Sequence, residues 1–168
     1  MSSASQHQVT IRRATPADSA AIRALIDRYV PNGTLLPRTD DFITLNRDDF
    51  LVAVADDQVV GCVHLDEYSP SLAELRSLAV DSAWQGKGIG RKLVAATEHL
   101  ARVRDNAVLF AVSNDEEFFH HFGFAKYYIP ELDLERSEVS KFKGVYAKAL
   151  TDAGMPDWLP KVAPDAAA

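Results

Sequence analysis

The chain has one cysteine, Cys62, in 168 residues. A single thiol cannot build an internal disulfide framework, which points to a reducing compartment and predicts a cytoplasmic protein. A basic excess is missing as well. The formal net charge is −6, so the charged footprint of a nucleic-acid binder is absent and no nucleic-acid partner is expected. No apolar run approaches the length of a membrane span, and residues 1–8 hold no apolar stretch of the kind a secretory leader needs. No membrane partner is expected. Internal repeats are lacking. Two common phosphate-binding patterns also fail. There is no G-x-x-x-x-G-K-[ST] run, and the G-x-G-x-x-G spacing counted from Gly86 puts Arg91 where the third glycine would stand.

Hydrophobic residues make up 47% of the chain and charged residues 25%, the balance of a soluble globular domain with a full core. We expect a floppy lead-in over 1–8, one domain over 9–150, and an extension over 151–168 that carries Pro156, Pro160 and Pro164.

The densest information lies between Leu72 and Arg104. Leu72–Val80 reads as a strand and Asp81–Trp84 as a turn. Gly86, Gly88 and Gly90 then alternate at the mouth of a helix whose apolar residues, Leu93, Ala96, Leu100 and Val103, recur three and four apart. A strand that feeds a glycine-rich turn and a helix N-terminus is a phosphate cradle. The glycines let the backbone approach, several N–H groups point at the anion, and the helix end adds partial positive charge. Lys87, Arg91 and Lys92 add cations.

Elsewhere the pattern predicts a strand over 9–13, then a helix that begins at Thr15-Pro16-Ala17-Asp18 and carries Ile22, Leu25, Ile26 and Tyr29 on its apolar stripe. Leu35-Leu36-Pro37-Arg38 is an apolar loop. Thr39 caps a short second helix that runs to about Asn46. Strands over 50–55 and 59–67 flank a hairpin turn at 56–58. Further strands are expected over 107–112, 124–129 and 144–150. A short helix bearing Phe118, Phe119 and Phe122 precedes Gly123, and residues 131–143 form a polar link. The order βα(α)βββαβαβ is not a strict βα alternation, which disfavours a doubly wound nucleotide fold.

The run Gln85-Gly86-Lys87-Gly88-Ile89-Gly90, read Q-x-x-G-x-G, resembles the acetyl-CoA pyrophosphate loop of the GNAT superfamily of N-acetyltransferases. Two other segments resemble it as well: Glu74–Val80, and Phe118-Phe119-His120-His121-Phe122-Gly123-Phe124, which is similar to the F-Y-x-x-x-G-F close of that family. Within the superfamily the chain looks like the acetyltransferase domain of N-acetylglutamate synthases, in a short form without a kinase domain. The Leu35–Arg38 loop, Glu74–Val80 and the missing tyrosine at Phe119 carry that closer likeness. The resemblance implies an α+β fold, with a central mixed, mostly antiparallel sheet flanked by helices. It implies acetyl-CoA as co-substrate and direct acetyl transfer to the α-amine of a small amino acid, glutamate first. Two positions depart: where the synthases often carry carboxylate-binding arginines, this chain has Asn114 and Phe122.

The resemblance implies that amides from Gln85 to Arg91 take the pyrophosphate, that Leu78, Ala79 and Val80 meet the pantetheine arm, and that the Leu78 amide faces the thioester oxygen. It makes Glu74 the residue that accepts the amine proton. By strand alternation Glu74 shares a face with Arg76, Leu78 and Val80; the plainer reading pairs Glu74 with Arg76 or a lysine. Arg76 and Arg38 are the cations for substrate carboxylates, because a guanidinium binds a carboxylate through two hydrogen bonds; alternatively Arg76 pairs with Glu74 and Arg38 lies exposed. Ser113 and Asn114 reach the thiol or the pantetheine, or Asn114 is a helix N-cap. Tyr127, Tyr146 and Trp84 are read as packing residues; the alternatives are the two tyrosines as weak substitutes for the acid that the resemblance puts at Phe119, and Trp84 as a stacker on the adenine. Cys62 is read as a small buried apolar residue, with a covalent acetyl-cysteine as the alternative. His120 and His121 are adjacent and diverge on a helix, so no metal is expected. Other roles the sequence leaves open are acetylation of another small amine or a peptide N-terminus, a non-catalytic acyl-CoA-binding regulatory module, and a homodimer.

Overall fold

A computed structural model describes residues 8–127 and 144–155. Seven strands are hydrogen-bonded in the order β1-β2-β3-β4-β5-β7-β6. They are β1 (Thr10–Arg13), β2 (Phe50–Ala55), β3 (Gln58–Ser69), β4 (Leu72–Val80), β5 (Val108–Ser113), β6 (Ala125–Tyr127) and β7 (Gly144–Ala149). The helices are α1 (Ser19–Asp27), α2 (Asp40–Leu45), α3 (Ile89–Val103) and α4 (Glu116–His121). The sheet is mixed. β1/β2, β2/β3, β5/β7 and β6/β7 are antiparallel. β4 and β5 are parallel, from Leu72↔Val108 to Glu74↔Phe110. The mixed sheet with flanking helices is the α+β architecture expected. Most of the polar link and the end of the extension lie outside the described residues. The chain divides into two compact units, residues 1–65 with 76–99, and residues 66–75 with 100–168.

In the first unit, local chemistry sets the ends of the elements. Thr15 is followed by a single 3-10 turn, Pro16–Asp18, that leads into α1. The Thr15 amide donates to Asp18 Oδ2 at 2.7 Å, and Arg12 Nη1 donates to the same oxygen at 2.7 Å. Thr39 Oγ1 accepts from the Phe42 amide at 3.1 Å and caps α2 as expected. The β2–β3 hairpin turns through Asp56 and Asp57 at φ 51° and 60°, the left-handed pair that a two-residue hairpin requires.

Alternate side chains of a strand point to opposite faces, and Gly61 and Cys62 show both faces covered. Cys62 joins Ile22, Leu25, Ile26, Ile43, Phe50 and Val52 in one buried cluster, so α1 and α2 pack on its side. A Cβ on Gly61 would lie 3.0 Å from Leu93 Cδ1 and 3.1 Å from Ile89 Cγ2, so α3 sits directly on β3 at that glycine. Leu93 and Ile89 are 0% and 1% exposed and have nowhere to retreat.

The second unit is built on β5, β6, β7 and α4. Val108, Phe110, Val145 and Ala147 form its core, with Leu72, Val112, Tyr127 and Met155 against it. The segment around Gly123 is a Schellman close of α4. The Gly123 amide donates to His120 O at 3.0 Å and the Phe124 amide to Phe119 O at 3.1 Å. Gly123 has φ 84°, and Phe119 and Phe124 meet edge-on at 5.4 Å, the apolar contact that accompanies this motif. The phenylalanines and the glycine therefore stop a helix. Asp115, not Asn114, is the N-cap of α4: Asp115 Oδ1 accepts from the Phe118 amide at 3.1 Å. The carboxylate one residue later has the reach, and Asn114 is left exposed.

The close fit at Gly61 gives a stability test. Gly61→Ala should lower unfolding free energy by about 1–3 kcal/mol through overpacking, read by urea denaturation with an unchanged m-value.

Candidate active site

β4 is not a uniform strand. Ser77 has φ 53°, a left-handed conformation that L side chains rarely adopt and that marks a bulge-like break. Burial still alternates across Ser77, with Arg76, Leu78 and Val80 half-buried and Ser77 and Ala79 buried, as a period of two requires. The neighbouring strand holds the break in place. Cys62 Sγ donates to Ser77 O at 3.4 Å, and the Ala79 amide bonds to the same sulfur. Burial pushes the Cys62 thiol up to about 12. A fully buried thiol with that pKa is not a nucleophile at neutral pH, which disfavours the covalent acetyl-cysteine alternative.

Beyond the break, the backbone groups of Leu78–Val80 are not equally available. The Ala79 amide is turned to Cys62. The Val80 carbonyl accepts from the Tyr29 hydroxyl and from Gln85 Nε2, the latter at 3.3 Å. The Ala79 N–H and the Val80 C=O thus already have partners within the chain.

The glycine turn comes next along the chain. Asp81 Oδ1 accepts from the Ala83 amide and Asp81 Oδ2 from Arg28 Nη1, each at 2.9 Å. Those two bonds hold the Asp81 carboxyl below its ordinary pKa. The Gln85 side chain, which opens the motif, points back to Tyr29 Oη at 2.7 Å. Gly86 and Gly88 stand at φ 77° and 81°, and a Cβ built on either meets nothing within 4 Å. These glycines are demanded by backbone conformation, and the space beside them is open. The α3 ladder begins with the Lys92 amide donating to Gly88 O at 3.1 Å. The amides of Ile89 and Gly90 precede that bond, in the first turn, where a helix has no acceptors of its own to offer. Gly86, Lys87, Gly88, Arg91 and Lys92 are exposed, and Lys87 Nζ lies 5.9 Å from the Trp84 ring centre. Donors, dipole, cations and open space beside the glycines suit an anion such as a pyrophosphate.

The first unit also holds both arginines. Arg38 is half-buried, donates from Nη1 to Pro37 O at 3.2 Å, and lies 5.1 Å from the Phe42 ring centre. Phe42 in turn meets the buried His64 edge-on at 5.6 Å. Arg38 is thus braced against α2 rather than extended into solvent. Arg76 is half-buried on β4, one residue before the break.

In the second unit Glu74 is 7% exposed, and the Tyr68 hydroxyl donates to Glu74 Oε1 at 2.5 Å. The Tyr68 ring stacks on Phe110 at 5.7 Å. A phenol, which sequence reading passed over as loop, is therefore a partner of this carboxylate. Ser113 Oγ accepts from the Asp115 amide at 2.9 Å, a turn contact beside the α4 cap. Phe119 is buried and stacks parallel to Tyr146 at 6.1 Å. Tyr146 is 3% exposed, and its phenol pKa is raised by burial and by the charges of Glu116 and Asp115. Among the described residues no group of three or more His, Cys, Asp or Glu is placed to hold a metal ion.

Known proteins resemble this chain in sequence and in fold. The family model of the acetyltransferase (GNAT) domain matches residues 46–126. An uncharacterised N-acetyltransferase of Chlorobaculum tepidum is 35% identical over 124 residues, which is 72% of this chain and 80% of that protein. The chain belongs to the GNAT family of acetyltransferases. It is an acyltransferase of the acetyl-CoA-dependent type. The amino-acid acetyltransferase of Mycobacterium tuberculosis is 35% identical over 121 residues, 69% of this chain and 68% of that protein. Among solved structures, N-acetylglutamate synthase from Neisseria gonorrhoeae, complexed with coenzyme A and N-acetyl-glutamate, aligns with a TM-score of 0.77 at 27% identity. That alignment covers 87% of this chain and 36% of the synthase. Within the described residues no helix is long and apolar enough to cross a membrane.

A side chain at Gly88 must strain a backbone at φ 81° and re-aim the amides around it. Left-handed backbone costs a non-glycine residue ~1–3 kcal/mol. Gly88→Val should therefore weaken acetyl-CoA binding about tenfold or more in calorimetry, with the circular dichroism of the fold unchanged.

Proposed function

We propose that this acetyltransferase moves acetyl from acetyl-CoA to the α-amine of a small amino acid, glutamate first, by direct transfer in a ternary complex. Residues 9–150 are its catalytic domain. The observation that carries the reading is the open glycine turn at the mouth of α3, directly after the broken end of β4. Likeness to an amino-acid acetyltransferase and to a synthase holding N-acetyl-glutamate supports the acceptor class.

Acetyl-CoA supplies an acyl group already activated as a thioester. The amides from Gln85 to Arg91 hold its phosphates, with Lys87, Arg91 and Lys92 as surrounding cations. Gln85 contributes through its backbone, since its side chain serves Tyr29 and Val80. Leu78 keeps the role of facing the thioester oxygen. The Ala79 amide on one side is committed to Cys62, and the break at Ser77 lies on the other. An amide fixed toward a developing oxyanion acts in the transition state, so the Leu78 side chain is free to be apolar. Glu74 takes the proton of the acceptor ammonium, through water. The nitrogen then attacks the thioester carbon, the carbon–sulfur bond breaks, and the thiolate is protonated by water or by the proton the amine sheds. Arg38 and Arg76 take the acceptor carboxylates, and Ser113 and Asn114 line the pantetheine side. Asn114 and Phe122, standing where the synthases often carry arginines, favour a second reading in which the acceptor is another small amine. A thiol-release assay across amino acids and simple amines separates the two.

Glu74→Gln should cut turnover about 10²-fold or more and leave acetyl-CoA affinity in place, the scale of a lost general base. Turnover within a few-fold of wild type would make Glu74 structural.

A charge-assisted contact is worth ~1.5–3 kcal/mol, so Arg38→Ala and Arg76→Ala should each raise the glutamate KM roughly ten- to a hundredfold. The acetyl-CoA KM should hardly move. Equal wild-type rates with glutamate and glutamine would count against a carboxylate-reading Arg38.

A further inference from the structure

We infer that Tyr29, at the end of α1, is a positioning residue that sets the affinity for the phosphates of acyl-CoA by locking the start of the glycine turn. This rests on the reading of that turn as the phosphate site. The Tyr29 hydroxyl donates to Val80 O and accepts from Gln85 Nε2 at 2.7 Å, and the same Gln85 amide reaches Val80 O at 3.3 Å. One hydroxyl therefore closes a ring of hydrogen bonds across the turn from Val80 to Gln85. The preceding residue of the chain grips the same turn. Arg28 pairs with Asp81 at 2.9 Å, and the Asp81 amide donates to Val60 O at 2.8 Å. Tyr29 is itself fixed. Its ring packs against the core of the first unit, and its carbonyl accepts from the Leu35 amide at 3.1 Å.

The lock is needed because the glycines beyond Gln85 cannot hold themselves. Gly86 and Gly88 have the freest backbone available to a chain, and nothing of the protein lies within 4 Å of where their side chains would be. With no packing of its own, the turn is held from its ends. One end is α3; the other is Gln85, and Gln85 is held by Tyr29. Loosening that end charges the cost of ordering the turn to ligand binding. The contacts of the pantetheine arm lie upstream of the lock and should not feel it.

Tyr29→Phe removes the hydroxyl and keeps the packed ring. Its CoA affinity by calorimetry should fall about three- to tenfold, the scale of one neutral hydrogen bond. The acetyl-CoA KM should rise by the same factor while kcat stays near wild type. S-acetylpantetheine, which has the thioester and the arm but no phosphates, should be used with unchanged kcat/KM. Gln85→Ala should weaken CoA by a similar factor, and the double variant should be no weaker than the worse single one. Unchanged CoA affinity in Tyr29→Phe, or an equal loss with both donors, would overturn the assignment. Gly88→Val run alongside separates the two failures. If it binds CoA as wild type does, the phosphate-loop reading falls and Tyr29 with it. If Gly88→Val alone is impaired, the loop stands and Tyr29 has no part in it.

Discussion

A backbone that is to bind an anion cannot spend its amides on itself. Regular strand and helix both commit them, so the chain must leave regular structure where the ligand arrives and still be held still. Here that is done with positive φ. Ser77 stands at φ 53° within β4, and Gly86 and Gly88 stand at 77° and 81° in the turn before α3. None of these departures is held by the ligand. The first is held by Cys62, which receives the Ala79 amide and gives its proton to Ser77 O. The second is held from its end by Gln85 and Tyr29. The rest of the first unit serves these contacts: Gly61 lets α3 lie close on β3, and the cluster around Ile22 and Ile26 anchors the helix that brings Tyr29.

Much of this was legible in the sequence because it depends on neighbours in the chain. Thr39 caps α2, Asp56 and Asp57 turn a hairpin, and Gly123 ends α4; each needs only a few adjacent residues. β2 and β4 run as expected, and β1, β3 and β5 shift by one or two residues at an end. What was not legible depends on partners far along the chain. Ser77 carries no sign of positive φ, since the break is stabilised by Cys62, fifteen residues away. Tyr29 read as one more member of an apolar stripe, because its ring does pack; its hydroxyl matters only once α1 meets Val80, fifty-one residues on. Gln85, read as part of the ligand contact, serves that junction with its side chain. At Ser113-Asn114-Asp115 three capping residues stand in a row, and the sequence alone does not choose among them; Asp115 is the cap.

The chemistry of the acceptor rests on less. Glu74 is buried, and its partner Tyr68 is bonded to one of its oxygens. A phenol–carboxylate bond of this kind fixes where the carboxylate points. Phe119, packed against Phe124 and Tyr146, is a core residue with no proton to give. Tyr146 is too deeply packed to move and Cys62 too weak an acid to serve.

The central claim is that the amides at the mouth of α3 meet the phosphates of the donor. A titration of the ¹⁵N-labelled chain with CoA reads those amides directly. The account predicts the largest shifts from Gly86 to Lys92, with the N–H resonances of Ile89 and Gly90 moving downfield as they meet the phosphates. S-acetylpantetheine should leave that group in place. Saturation with CoA that leaves Gly86 to Lys92 unmoved, with the largest shifts elsewhere in the chain, would contradict it.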